Sequence, residues 1–283
     1  MGFQIFSGPI HLMRVGITGS SGFLGEALLG ALNDASFGVV PIELPRTEVV
    51  LDGTFLEQQF SDLDVEAVFN LAAVRHPTNK YEYAVNAQLP ILLQKALKRV
   101  RPSARFIHMS SINVVLQERS DPYSNSKRQA EFSLYDSTTI IIRPSIIWSW
   151  QENAGGDVGR LHHYLSRSLP FHPVPFPGQH YRPVAIDNFV SRLTELLGEK
   201  KPPTIINVFG DRPTTIWELA KHASKNTGSR LLPIPTGFLE RLLPKAILNE
   251  LPTAIRSTNA GYPNDDQVKP AETTWTLPFS LSL

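Results

Sequence analysis

The sequence predicts an α/β fold in which a parallel β-sheet is covered by helices on both faces. Three observations lead to this prediction. Predicted strands alternate with predicted helices along the first half of the chain, and these strands are continuous apolar runs rather than period-2 patterns. The first strand is also followed by a glycine-rich turn and a helix, an arrangement typical of proteins built on a parallel sheet.

Five short segments have the character of strands. The first, at 14–18, is a compact apolar run, and the last, at 138–142, is a run of β-branched residues. The second contains Pro41, which lacks the amide hydrogen that a fully paired strand position needs. The predicted strands are 14–18, 38–44, 67–73, 105–110 and 138–142.

Four segments between these strands have helical spacing. The apolar residues of 26–32 recur at the spacing of one helix face, and 83–99 continues an amphipathic pattern over a longer stretch. The predicted helices are 26–32, 55–60, 83–99 and 123–135.

Composition limits the classes of function. Apolar residues make up 42% of the 283 residues and charged residues 19%, which is enough apolar material for a folded core. The 27 basic and 26 acidic residues leave a net charge of +1, whereas binding to nucleic acid or a membrane surface needs a concentrated basic face. The absence of cysteine excludes a disulfide scaffold, a thiolate zinc site and a cysteine nucleophile.

Neither a membrane span nor a metal site is expected. No apolar run approaches about 18 residues, and the N-terminal stretch lacks the features of a secretory signal. The adjacent His162 and His163 would point about 100° apart on a helix, which favours a polar surface over a metal site. The resulting expectation is a cytoplasmic protein with a small-molecule substrate and no nucleic-acid or membrane partner.

A glycine pattern joins the first strand to the first helix, where residues 18–25 read TGSSGFLG. Gly19 permits a tight turn, Gly22 lets backbone amides approach a pyrophosphate, and Gly25 lets the helix pack closely on the strand. A glycine-rich turn without a ligand is the alternative, but the position between strand and helix favours a dinucleotide site. Cofactor contacts are therefore expected from Gly19, Ser21, Gly22, Phe23, Leu24 and Gly25.

Two residues after the second strand give conflicting indications of which dinucleotide binds. The carboxylate of Glu43 can accept hydrogen bonds from both ribose hydroxyls, which favours NAD. Arg46 can hold a 2′-phosphate, which favours NADP. Both cofactors stay open.

A tyrosine and a lysine lie four residues apart on the last predicted helix. Tyr123 and Lys127 therefore share one helix face, and a protonated lysine beside a phenol favours the phenolate. Tyr123 is thus a candidate general acid and base for a carbonyl/alcohol pair. Ser111, at the end of the fourth strand, can donate a hydrogen bond to the same substrate oxygen.

The chain divides near residue 150, where prolines become frequent. Five prolines occur within 170–183, which is incompatible with one regular layer of helices and strands. We expect an N-terminal extension at 1–12, a Rossmann-type doubly wound domain at 13–150, and a smaller, irregular substrate-binding domain at 151–283. The segment 184–197 is a candidate to return to the first domain.

From Met13 onward the chain resembles the short-chain dehydrogenase/reductases, in particular their extended branch of nucleotide-sugar epimerases, dehydratases and reductases. TGSSGFLG is similar to the TGxxGxxG motif of that family, and YSNSKRQAE at 123–131 is similar to its Y-x-x-x-K helix. Further similar segments are LDG (51–53), NLAAV (70–74), YAVNAQ (83–88), SSINVV (110–115), RPSIIW (143–148) and YRPVAIDNF (181–189).

The resemblance implies a role for each matching residue. It implies that Tyr123 is the acid/base, that Lys127 lowers the tyrosine pKa and holds the nicotinamide ribose, and that Ser111 polarises the sugar oxygen. It also implies that Asn86 supports Lys127 and that Arg182 pairs with a substrate diphosphate. The further cofactor contacts that it implies are Asp52, at adenine, and Leu71, Ala72, Ala73 and Pro144.

The implied activity is an NAD- or NADP-dependent hydride transfer at a carbon, C4, of a nucleotide-linked sugar. Ile112 and Asn113 stand where dehydratases carry an acidic pair, which favours an epimerase or a 4-keto reductase over a dehydratase. Val115-Leu116 and Trp148-Ser149 replace the Tyr-Gly pairs that the family has around its substrate pocket. The altered Trp148-Ser149 region favours one alternative, the NADPH-dependent reduction of a small non-sugar carbonyl. A second alternative is a non-catalytic dinucleotide-binding sensor or subunit, which would be expected to lose the acid/base tyrosine that this chain keeps. A homodimer through the helices bearing Asn86 and Tyr123 is a further implication.

Overall fold

The computed structural model describes residues 12–116, 119–134, 139–149, 156–178, 180–235 and 273–279. Nearly all of the predicted N-terminal extension lies outside these residues. The strands are β1 (Arg14–Thr18), β2 (Gly38–Ile42), β3 (Ala67–Asn70), β4 (Arg105–Met109), β5 (Thr139–Pro144), β6 (Ile147–Trp148), β7 (His172–Phe176), β8 (His180–Tyr181), β9 (Val184–Ala185), β10 (Ile205–Gly210), β11 (Thr214–Thr215), β12 (Leu231–Pro235) and β13 (Thr273–Leu277). The helices are α1 (Phe23–Asp34), α2 (Gly53–Ser61), α3 (Lys80–Ala87), α4 (Leu89–Val100), α5 (Pro122–Leu134), α6 (Gly156–Leu165), α7 (Ile186–Gly198) and α8 (Ile216–Thr227).

Seven of these strands form one sheet in the order β2-β1-β3-β4-β5-β10-β13, and every pairing in it is parallel. The predicted α/β fold with a doubly wound parallel sheet is confirmed. The sheet also accommodates Pro41, because β2 lies at its edge, where an unpaired side of the strand tolerates a missing amide hydrogen.

Helices bury apolar side chains against both faces of the sheet. On one face, Leu28 of α1 and Leu193 of α7 pack into a core with Ile17 of β1. On the other face, helices α2, α4 and α5 contribute to a second core that contains Phe60 and Leu93. These strands therefore read as continuous apolar runs because they are covered on both sides.

One predicted helix is wrong. The segment 83–99 is not a single helix but the end of α3 followed by α4, with Gln88 between them. Pro90 stands in the first turn of α4, where its missing amide hydrogen is tolerated, but the same proline could not continue a helix begun at Lys80. The amphipathic spacing is right for each half, and the proline decides the break.

The sheet does not end with residue 150. Strands β10 and β13, from the later part of the chain, pair beside β5 and extend the sheet. Helix α7 covers most of the segment 184–197. It packs on α1 in the core that contains Ile17 of β1. Residues on both sides of the expected boundary at 150 therefore belong to one sheet.

A smaller core lies outside the main sheet. It is formed by helices α6 and α8 together with Val174 of β7 and Trp148 of β6. Helix α8 begins with a capping box of Thr215 and Glu218 and ends at Gly228, whose φ of 68° stops the helix. Short strand pairs, β7 with β12, β8 with β11 and β6 with β9, complete this part of the described chain.

Candidate active site

The glycine turn lies where the order of the sheet reverses. β1 is flanked by β2 on one side and by β3 on the other, so the connections from these strands diverge at its carboxyl end. In open α/β sheets such a divergence leaves a crevice in which ligands bind. Residues 18–25 follow β1 directly and therefore line this crevice.

Two glycines of the turn have no room for a side chain. Gly19 has a φ of 70°, and a Cβ on it would lie 2.8 Å from the amide nitrogen of Ala72. A Cβ on Gly25 would lie 2.1 Å from the carbonyl oxygen of Gly19. The turn is held by the amide of Gly22, which donates to the Gly19 carbonyl at 3.1 Å. The backbone of the turn thus approaches both the loop after β3 and the start of α1.

The first turn of α1 fits the phosphates of a dinucleotide. Its N-cap residue is Gly22, so no side chain caps the first amides of the helix, and Ser21 and Gly22 are exposed. Uncapped amides at a helix N-terminus, beside a turn in which a Cβ would clash, form an anion-binding cradle. Phe23 and Leu24 open the helix and are half-buried. Leu71, Ala72 and Ala73 follow β3, and the backbone of Leu71 and Ala72 lies against Gly19.

A buried polar chain beneath this crevice was not predicted from the sequence. The hydroxyl of Thr18 donates to the side-chain oxygen of Asn70 at 2.8 Å, and the Asn70 amide lies 3.1 Å from Nδ1 of His108. The Thr18 hydroxyl also accepts a hydrogen bond from the amide of Ala72 at 3.4 Å. The sequence shows polar residues at or near the ends of these apolar strands. Only the sheet register aligns Thr18 with Asn70 and Asn70 with His108.

Lys127 is buried between α5 and the sheet. Its ammonium donates to the carbonyl oxygen of Met109, the last residue of β4, at 2.8 Å, and the residue is 1% exposed. Burial lowers the pKa of Lys127 to about 8, while the negative charge of Glu131 acts in the opposite direction. Burial, followed by the charge of Lys127, lowers the pKa of His108 well below 6.5, so this imidazole is neutral near pH 7.

The other two candidate catalytic residues, Tyr123 and Ser111, belong to the two parts of the chain that Lys127 joins, α5 and the end of β4. Tyr123 is half-buried one turn earlier on α5. Ser111 is two residues beyond Met109 and caps a short 3-10 turn, where its hydroxyl oxygen accepts from the amide of Asn113 at 3.3 Å. This use leaves the Ser111 hydroxyl hydrogen available to a substrate oxygen. The end of β4 thus connects the lysine to the serine.

Asn86 holds the loop after β3 against α3. Its side-chain oxygen accepts from the amide of Val74 at 2.8 Å, and its side-chain nitrogen donates to the Val74 carbonyl at 2.7 Å. These hydrogen bonds fasten the loop after β3 to α3, and the support of Lys127 by Asn86 through water stays a prediction. Its contribution to the site is to position this loop, which the sequence spacing could not show.

The residues expected near the adenosine lie after β2. Glu43 and Arg46 are both exposed, and Arg46 lines an open groove of about 480 Å³ together with Lys80 and Tyr81 of α3. Asp52 caps α2, because its carboxylate accepts from the amide of Thr54 at 2.8 Å. This cap is a structural use of Asp52, and its contact with adenine stays a prediction.

Pro144 and Arg182 lie several strands away from the residues expected near the adenosine, at the strands β5 and β10 rather than after the edge strand β2. Pro144 ends β5 and is aligned with Val208 of β10. Nε of Arg182 donates to the carbonyl oxygen of Gly210, the last residue of β10, at 2.8 Å. The guanidinium also lies over the ring of Phe209, 5.6 Å from its centroid. These contacts place Arg182 near the carboxyl end of β10, with its pairing to a diphosphate still a prediction.

The matching family model is described as the NAD dependent epimerase/dehydratase family, and it covers residues 15–142. This match spans 128 of the 283 residues of the chain. The predicted resemblance is thereby confirmed for this part of the chain, which includes the glycine turn and the Tyr123–Lys127 helix. A search of curated proteins by sequence finds no match.

Solved structures of nucleotide-sugar enzymes share this fold. UDP-glucose 4-epimerase of Thermus thermophilus, in complex with NAD, is 17% identical, with a TM-score of 0.64 over 79% of this chain and 86% of that one. dTDP-4-dehydrorhamnose reductase of Bacillus anthracis strain Ames, in complex with NADP, is 19% identical, with a TM-score of 0.66 over 79% and 85%. dTDP-glucose 4,6-dehydratase of the same Bacillus strain, in complex with NAD, is 17% identical, with a TM-score of 0.64 over 80% and 85%. At these identities the likeness shows the fold.

Other kinds of site are not seen in the described ranges. No helix among them is both long and apolar enough to cross a membrane. The same residues contain no group of three His, Asp or Glu side chains arranged to hold a metal ion.

Proposed function

We propose that this protein is an NAD- or NADP-dependent enzyme that oxidises or reduces a carbon, C4, of a nucleotide-linked sugar. The observation that carries the proposal is the placement of Lys127. Its buried ammonium contacts the last residue of β4, the strand that leads to Ser111. Lys127 also lies one helical turn from Tyr123 on α5. This arrangement lies at the same end of the sheet as the glycine cradle, because the carboxyl ends of parallel strands meet at one end of the sheet.

The residues of the chain supply proton transfer and orientation. Tyr123 takes the proton from the sugar hydroxyl when the alcohol is oxidised and returns a proton to oxygen when the ketone is reduced. Lys127 favours the phenolate form of Tyr123 by its positive charge, and Ser111 donates a hydrogen bond to the same sugar oxygen. A bound nicotinamide supplies the acceptor or donor of the hydride.

The NAD-containing and NADP-containing neighbours support either cofactor for this chain. The glycine cradle serves both, since it addresses the pyrophosphate that the two cofactors share. Recovery of tightly held NAD with the purified protein would favour an epimerase, which keeps its cofactor through the cycle. Free exchange of NADPH would favour a 4-keto reductase.

Arg46 and Glu43 should shift the choice of cofactor in opposite directions. Arg46→Ala removes a cation that can pair with the 2′-phosphate, so we expect the ratio of NADP affinity to NAD affinity to fall by roughly tenfold or more. Glu43→Ala removes a carboxylate that repels this phosphate and accepts from the ribose hydroxyls, so the same ratio should rise. Fluorescence titration of each variant with NADPH and NADH measures both ratios. A shift in the same direction for the two variants would contradict this assignment.

Arg182 should contribute to substrate binding. Arg182→Ala is expected to weaken the binding of a UDP- or dTDP-sugar by about 1.5–3 kcal/mol, because a charged hydrogen bond to the diphosphate is lost. Isothermal titration calorimetry with the cofactor-loaded protein gives this value. Arg192→Ala is the control, since Arg192 also lies over an aromatic ring, that of Trp275 at 4.3 Å, but on α7. Equal binding by the Arg182 variant and the unchanged protein would instead favour the small non-sugar carbonyl.

A homodimer through α3 and α5 stays a proposal. The side of α5 away from the sheet carries Phe132, which is 90% exposed, and an exposed aromatic ring of this size is more typical of an interface than of a free surface. Sedimentation equilibrium of the unchanged protein and of Phe132→Ser tests this proposal.

A further inference from the structure

Three charged side chains form a row in the buried layer between α5 and the sheet. Lys127 and Glu131 lie one turn apart on α5, with 1% and 8% of their surface exposed. Arg143 of β5 holds the Glu131 carboxylate with three hydrogen bonds, two from Nε at 3.0 and 3.1 Å and one from an Nη atom at 2.6 Å. The signs alternate along the row, from Lys127 through Glu131 to Arg143.

The Arg143 guanidinium contacts both oxygens of the Glu131 carboxylate. An isolated carboxylate buried to this extent would be stabilised by taking up a proton. A guanidinium does not lose its proton in proteins, and its planar fork matches both carboxylate oxygens. The carboxylate of this ion pair, not the pair as a whole, is negatively charged, and it belongs to the residue one helical turn from Lys127.

We propose that Glu131, held by Arg143, is a positioning residue that keeps the buried Lys127 side chain in its ammonium form. This inference rests on the proposed function, in which Lys127 acts on Tyr123 through its positive charge. It goes beyond that function because it assigns the working charge state of the lysine to two residues that need not touch cofactor or substrate.

The other surroundings of Lys127 do not supply this charge. The Met109 carbonyl accepts a hydrogen bond from the ammonium but carries no net charge. On β4, the neutral imidazole of His108 faces Lys127, and on β5 the nearest charge is that of Arg143, which has the same sign as the lysine. The buried residues of α3 and α4, both described in full, carry no charged side chain. Because burial lowers the pKa of Lys127 to about 8, loss of the Glu131 charge would leave much of the lysine neutral at physiological pH.

The test is a titration of Lys127 in the full-length protein without substrate, by NMR of ¹³C-labelled lysine side chains. The Lys127 signal is identified as the one that disappears in Lys127→Arg. In Glu131→Gln we expect its titration midpoint to move at least about one pH unit lower, since a neighbouring opposite charge is lost. In Glu131→Asp the charge is kept, and the midpoint should stay close to that of the unchanged protein.

The control is Glu57→Gln, which makes the same chemical change in the exposed ion pair of Glu57 with Arg99. Its Lys127 midpoint should match that of the unchanged protein. An unaltered midpoint in Glu131→Gln would overturn the inference and would indicate that the Glu131–Arg143 pair only fastens α5 to β5.

A second measurement covers the case in which Glu131→Gln does not fold. The side-chain carboxyl signal of Glu131 in the unchanged protein reports its protonation directly, and we expect an ionised carboxylate at about pH 7. A protonated Glu131 at this pH would overturn the inference. Neither NMR measurement uses turnover. If they contradict the role of Glu131, the proposed activity is still untouched, and if the enzyme proves inactive, the titration of Lys127 can still be measured.

Discussion

Replacement of Tyr123 by phenylalanine will lower turnover about 10²–10⁴-fold, the range over which a positioned general acid or base accelerates proton transfer. The change removes the phenolic oxygen that exchanges the proton with the sugar hydroxyl and leaves the ring in place. Cofactor affinity should change little, because Lys127 and the glycine cradle stay intact. Steady-state kinetics with a nucleotide-sugar and fluorescence titration with NADH or NADPH measure the two effects separately.

A second tyrosine provides the matched control for this substitution. Tyr164 donates its hydroxyl to the carbonyl oxygen of Pro173 in the smaller core, and burial raises its pKa to about 12. Tyr164→Phe removes one hydrogen bond and should cost about 1 kcal/mol of stability without a comparable loss of turnover. Full activity of Tyr123→Phe would exclude the proposed mechanism and leave the non-catalytic sensor as the favoured alternative.

Replacement of Gly25 by alanine will weaken cofactor binding severely and destabilise the fold. The new methyl group would lie 2.1 Å from the carbonyl oxygen of Gly19 and 2.7 Å from the Cα of Ser20, so the turn and the helix must separate. We expect a loss of at least about 1–3 kcal/mol in the free energy of unfolding, the usual cost of overpacking. Dinucleotide affinity should fall more than tenfold, because the cradle amides move away from the phosphates.

The control for this prediction lies on the same helix. Gly30 is exposed within α1, and a Cβ on it meets no atom within 4 Å. Gly30→Ala should therefore stabilise the protein by roughly 0.5–1 kcal/mol, because alanine loses less backbone entropy in a helix interior. Urea denaturation and cofactor titration of both variants make the comparison. If Gly25→Ala binds cofactor as well as Gly30→Ala does, the turn is not the phosphate site.

Much of the fold follows from local patterns in the chain. The first five strands are recognisable because each is a short apolar run bounded by polar or turn residues. Each of the four predicted helical segments contains helical residues. Errors occur at ends and breaks. Strand β3 stops at Asn70, three residues before the predicted end, and Pro90 divides the long predicted helix.

The site divides in the same way. The glycine turn and the Tyr123–Lys127 pair are set by spacing within one segment, so both were accessible to sequence reasoning. The hydrogen bonds of Asn86 to Val74 and the bidentate pair of Glu131 with Arg143 join side chains to partners 12 residues away in the chain. No periodicity encodes such a partner, because it depends on how two elements pack.

The sequence by itself determined the class of the fold, the turn that fits a dinucleotide and the helix that carries the proposed acid and base. These features depend on residues within a few positions of one another, where backbone geometry and steric limits act directly. Only the tertiary structure decided that β10 and β13 complete the sheet, that Thr18, Asn70 and His108 form one polar chain, and that a buried ion pair stands beside Lys127. These arrangements arise from strand order and burial, which depend on the free energy of the whole packed chain.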